Sequence, residues 1–209
     1  MKKILSLSLV LIMAAMLFCG SAFAATEQDL FGIWNGSWQY NGKSVSETIV
    51  FETNGHYLEA QYVNGEVAYS EAGIYEIEDN TVSLYQIGGQ NFVTKYEYTK
   101  DSLINNGHAI VKVSPSERPA GSLPGVWNGA WQYNGRDIYE TILLEPDGIY
   151  ILAVYANGEL SSQEYGNYAQ DVGMNKVFLY ILGNKGHIRE YDYDGTTLVN
   201  NAHYITKTY

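Results

Sequence analysis

Two acid/base combinations recur in this chain, Glu47 with His108 and Glu140 with His203. A carboxylate beside an imidazole is the simplest unit of general acid–base catalysis, because the carboxylate fixes the ring and the ring moves the proton. A hydrolase built on such a pair also needs a nucleophile or a metal-bound water, and neither signature accompanies these residues. His56 and His187 have no matching histidine in the other half of the chain, and the single cysteine, Cys19, lies near the N-terminus, so no metal-ligand spacing exists. The Asn-Gly repeats fit neither a phosphate loop nor a Ca²⁺ loop. The expectation is a protein that is not an enzyme and has no catalytic residue, metal or cofactor. Glu47, His108, Glu140 and His203 then either satisfy buried polarity or line a binding site.

A second set of residues favours binding. Trp38, Tyr40, Trp131 and Tyr133 are aromatic side chains in two matching segments, and they either line a cavity for a small apolar or aromatic ligand or fill two small cores. Those segments, Gly32-Ile33-Trp34-Asn35-Gly36-Ser37-Trp38-Gln39-Tyr40-Asn41-Gly42 and Gly125-Val126-Trp127-Asn128-Gly129-Ala130-Trp131-Gln132-Tyr133-Asn134-Gly135, hold all four tryptophans. Side chains alternate across a strand, so Trp34, Gly36, Trp38 and Tyr40 share one face. The closing Asn-Gly is a strong hairpin signal, since both residues tolerate the positive φ of a type I′ turn.

The likeness extends well beyond those segments. Leu30 aligns with Leu123 at an offset that holds through Glu76 and Ala169; two residues are then inserted, and Tyr96 matches Tyr191, His108 matches His203 and Lys112 matches Lys207. The chain is a tandem duplication. Turn signals at short intervals predict roughly seven to nine strands per copy, the pattern of an antiparallel barrel or sandwich. Pairing the last strand with the first would remove exposed edges. The linker composition of 115–122, with Pro115 and Pro119, separates a module at 25–114 from one at 123–209. Two barrels are expected, with one merged barrel as the alternative.

In the second strand Val45, Glu47, Ile49 and Phe51 match Ile138, Glu140, Ile142 and Leu144, an inward apolar face carrying one carboxylate. In the third, Leu58, Ala60 and Tyr62 match Ile151, Ala153 and Tyr155, a second apolar face expected to lie inside. Its opposite face drifts from Glu59 and Gln61 to Leu152 and Val154, as if the other module covered it in one copy only.

Lys2 and Lys3, an apolar run from Ile4 to Phe18, and Ala22-Phe23-Ala24 read as a secretory signal peptide over 1–24. The expected location is therefore periplasmic or extracellular. Lipidation at Cys19 is disfavoured by the bulky Phe18 before it, and the apolar run is short for a membrane span, so no span is expected after cleavage. Loss of the leader removes the only thiol, leaving burial to stabilise the fold. A formal net charge of −11 argues against nucleic acid and anionic membranes as partners.

Gly32-Ile33-Trp34 and Gly125-Val126-Trp127, each opening a run of hairpins that ends on a strand with a basic residue, resemble the calycin superfamily of lipocalins, avidins and fatty-acid-binding proteins. The resemblance implies that Trp34 and Trp127 close the barrel bases and that Lys112 and Lys207 pack over them as cations, where family members usually carry arginine. A small bacterial lipocalin-like module is the nearest likeness. It implies an exported binding protein, with an envelope protein partner as the alternative.

Overall fold

The computed structural model describes residues 27–87, 92–114, 122–182 and 187–209. The signal-peptide reading and most of the linker reading fall outside these residues. After one helical turn, α1 (Glu27–Leu30), the first copy forms β1 (Gly32–Tyr40), β2 (Lys43–Phe51), β3 (His56–Val63), β4 (Glu66–Glu78), β5 (Thr81–Gln86), β6 (Val93–Tyr98), β7 (Ser102–Asn105) and β8 (His108–Lys112). The second forms β9 (Gly125–Tyr133), β10 (Arg136–Leu144), β11 (Ile149–Ala156), β12 (Glu159–Asp171), β13 (Lys176–Ile181), β14 (Ile188–Tyr193), β15 (Thr197–Asn200) and β16 (His203–Lys207). Each set pairs in sequence order and closes on itself, β8 on β1 and β16 on β9, giving two closed eight-stranded antiparallel barrels. The chain does not merge into one larger barrel.

Local chemistry explains the closure. Asn41 and Gly42, at φ 50° and 76°, adopt the left-handed conformations that a tight hairpin demands, and Asn134 and Gly135 repeat them. At Gly36 a Cβ would meet the Ala109 carbonyl oxygen at 2.6 Å, so the missing side chain is what lets β1 approach β8. At the barrel bases, Trp34 pairs in register with Lys112 and Trp127 with Lys207. The Trp34 Nε1–H donates to the Leu30 carbonyl at 2.7 Å, and the Trp127 Nε1–H to that of Leu123 at 2.9 Å. Lys112 Nζ lies 5.9 Å from the Trp34 ring centroid and donates to the Asp29 carbonyl at 2.5 Å; Lys207 Nζ donates to the Ser122 carbonyl at 2.6 Å.

Each barrel has its own apolar interior, with Trp34, Ile49, Phe51 and Tyr98 in the first and Trp127, Ile142, Leu144 and Tyr193 in the second. A third cluster lies between the barrels and joins Ile33, Val50, Leu58, Ala60 and Tyr62 to Val126, Leu143, Ile151, Ala153 and Tyr155. This corrects the expectation for the third strand. Its consistently apolar face points outward in both copies, because each barrel is buried against the other. The drifting face points inward: Leu152 and Val154 pack in the second core, while Glu59 and Gln61 face the first interior. The Thr141 hydroxyl donates to Glu52 Oε1 at 2.6 Å across the same interface, and His56 stacks on Tyr155 at 4.2 Å. Burial pushes the Glu52 carboxyl up, opposed by the hydrogen bond from Thr141.

Candidate functional site in the mouth of the N-terminal barrel

Adjacent strands carry carboxylates toward one place inside the first barrel: Glu47 from β2, Glu59 from β3 and Glu71 from β4. Glu59 and Glu71 are cross-strand partners, and Glu47 pairs with Gln61 one step along the pleat, so alternation alone puts all three on the inner surface. They line a cavity of about 340 Å³ together with Trp38, Tyr96 and His108. Glu47, Glu59 and Glu71 are 5%, 3% and 5% exposed, so none is simply hydrated.

Hydroxyls and one amide hold the outer two. Gln61 Nε2 donates to Glu47 Oε1 at 2.9 Å, and the Tyr96 hydroxyl donates to the same oxygen at 3.2 Å. The Tyr57 hydroxyl donates to Glu71 Oε1 at 2.6 Å, and that of Tyr69 donates to Glu71 Oε2. Glu59 differs: its buried Oε2 has no hydrogen-bond partner among the described residues. Burial, reinforced by the charges of Glu47 and Glu71, holds its carboxyl well above the usual carboxylate range.

The two expected acid/base combinations do not assemble as such. Glu47 is engaged by Gln61 and Tyr96, while His108 stacks on Trp38 with centroids 4.5 Å apart and planes 13° apart. In the second barrel the Tyr191 hydroxyl donates to Glu140 Oε1 at 2.8 Å, and His203 stacks on Trp131 at 4.4 Å and 12°. Trp38 and His108 thus form one flat wall of the first mouth. Tyr40 and Tyr133 belong to neither cavity wall: at 61% and 60% exposure they stand in solvent, because β1 and β9 reach past the barrel rim at their hairpin ends.

Sequence reasoning did not single out Glu71 or Tyr69. It also missed Glu164 and Arg189, which complete the corresponding position of the second barrel. Arg189 Nε donates to Glu164 Oε1 at 2.7 Å and Nη2 to Glu164 Oε2 at 3.0 Å, a bidentate pair. The available signal was that Glu71 and Glu164 recur at the repeat offset while Thr94 becomes Arg189. Among the described residues no group of three or more His, Cys, Asp or Glu side chains is arranged to hold a metal ion, and no helix is long and apolar enough to cross a membrane. A more open groove of about 430 Å³ runs along the seam of the barrels past Ser37, Thr48, Tyr62 and Pro146. No protein-family model, curated protein or solved structure gives a significant match to this chain.

Proposed function

We propose that this is an exported, non-enzymatic binding protein of lipocalin-like type that takes a small molecule into the mouth of its N-terminal barrel. The observation that carries the reading is the cavity of about 340 Å³ where the apolar core of that barrel gives way to Trp38, Tyr96 and His108 among carboxylates. A concave site with a flat apolar wall and a few converging polar groups is how small barrels hold ligands, the wall taking the apolar or aromatic body and the polar groups fixing its orientation. The calycin likeness rests on Trp34 and Trp127 at the barrel bases with Lys112 and Lys207 beside them.

Native mass spectrometry of the protein purified from its own host tests the reading. A reproducible excess mass that disappears on denaturation is the expected result. A bare mass, with no small molecule shifting the spectrum of Trp38, would contradict it. A protein-interaction role draws on the exposed rings Tyr40, Tyr133, Phe92 and Tyr204, and predicts a bare mass with a co-purifying protein.

A further inference from the structure

We infer that the molecule held in the N-terminal mouth carries a guanidinium group, which docks between Glu59 and Glu71 with its hydrocarbon body against Trp38. The inference rests on the binding reading above and names the chemical class of the ligand.

Its main support is the protein's own second copy. Glu164 corresponds to Glu71 in the repeat, and Tyr150, which donates to Glu164 at 3.3 Å, corresponds to Tyr57. There the carboxylate receives a guanidinium from within the chain, Arg189. Barrel register confirms which residue stands in that place in the first copy: Arg189 lies opposite Leu179 on the neighbouring strand, and Thr94 lies opposite Leu84. Thr94 lines the first cavity and is too short to reach across it. The first mouth therefore has the acceptor side of the same arrangement, with Glu59 added where the second has Leu152; β6 turns Thr94 and Tyr96 into the cavity, while its one cation, Lys95, lies on the exposed face.

A second observation points the same way. Glu59 is 3% exposed and lines the cavity; its Oε2 receives no hydrogen bond, and its carboxyl meets those of Glu47 and Glu71 rather than a positively charged donor. A buried carboxylate oxygen without a donor is costly, and a charged donor entering the cavity removes that cost. The charged and titratable groups around it are Glu47 on β2, Tyr57 on β3, Tyr69 and Glu71 on β4, Tyr96 on β6 and His108 on β8. None of these is a fixed cation. A planar fork suits two carboxylates on adjacent strands better than a point charge does, since it presents parallel N–H donors to both.

Calorimetric titration of the purified full chain with butylguanidinium, butylammonium and neutral butylurea tests the inference. Butylguanidinium should bind at one site per chain, with butylammonium and butylurea each at least about tenfold weaker. Glu59→Gln, which keeps the shape, should weaken butylguanidinium by about tenfold or more. Thr94→Arg should abolish binding by supplying the cation internally, while Glu140→Gln in the other barrel should leave it unchanged. Circular dichroism of each variant checks that the barrels remain folded. Equal binding of butylurea, or of butylammonium, would overturn the guanidinium assignment while leaving a small-molecule site in place. Unchanged binding in both Glu59→Gln and Thr94→Arg would overturn the location. No binding of any probe, together with a bare native mass, would overturn the inference and the binding reading together.

Discussion

The two barrels share their bases and differ at their mouths. At the base, Trp34 and Trp127 make the same indole-to-carbonyl hydrogen bond and pair with corresponding lysines, Lys112 and Lys207. At the mouth, the second barrel neutralises Glu164 with Arg189 and fills the neighbouring space with Leu152 and Val154. The first replaces those side chains with Thr94, Glu59 and Gln61, and opens a cavity. Within one chain, then, the same backbone carries an internally satisfied interior and an interior with acceptor capacity to spare. The base is where the fold is held, and the mouth is where the copies are free to diverge.

Substitutions at the base should treat the barrels alike. Trp34→Ala and Trp127→Ala are each expected to cost about 3–5 kcal/mol, since both remove a fully buried ring and strand a main-chain acceptor. Urea unfolding of the two variants checks this; a large cost in only one would mean that the bases are not equivalent. At the mouth the effects should separate. Arg189→Thr should destabilise the protein by about 1–3 kcal/mol, toward the lower end because the guanidinium is about a third exposed and solvent screens the pair. Thr94→Arg in the first barrel should raise the melting temperature, which differential scanning calorimetry would show.

Glu59 sharpens the contrast through pH. Its carboxyl is held up in the folded state, so below the ordinary carboxylate range both folded and unfolded chains are protonated and no stability is lost. As pH rises from that range through the raised folded value, the unfolded chain ionises first and stability falls. Glu59→Gln should remove this loss, matching the parent protein near pH 4 and exceeding it by about 1–2 kcal/mol at pH 8. A stability difference independent of pH would show that Glu59 is not strained by its surroundings. The smallest effects belong to the stacked histidines: His108→Ala and His203→Ala should each cost about 0.5–1.5 kcal/mol, and by similar amounts, because their stacking geometries nearly coincide.

Much of this architecture was legible in the residues. Tandem copies, Asn-Gly turns and alternating apolar positions specify short antiparallel strands, and Gly36 and Gly129 mark where the first strand of each copy approaches the last. The inner face of β2 followed from its pattern, with Glu47 as the odd member. The faces of β3 and β11 did not follow, because both sides of these strands are buried in the second copy and apolarity no longer distinguishes core from interface. Arg189 was hidden for a related reason. A single threonine-to-arginine difference between copies looks like surface drift until the register shows Glu164 within reach. Tyr40 and Tyr133 share a strand face with inward tryptophans, yet the barrel ends before they do.

Whether the first mouth is the one that takes the ligand can be read from four signals. Trp38 stacks on His108 and Trp131 on His203 at equivalent places in the two barrels, while the indoles of Trp34 and Trp127 are bonded at the bases. In an ¹⁵N-labelled sample titrated with butylguanidinium, the Trp38 indole resonance should move and saturate while those of Trp131, Trp34 and Trp127 stay in place. Movement of Trp131 together with Trp38, or of neither, would rule out a ligand site confined to the first mouth.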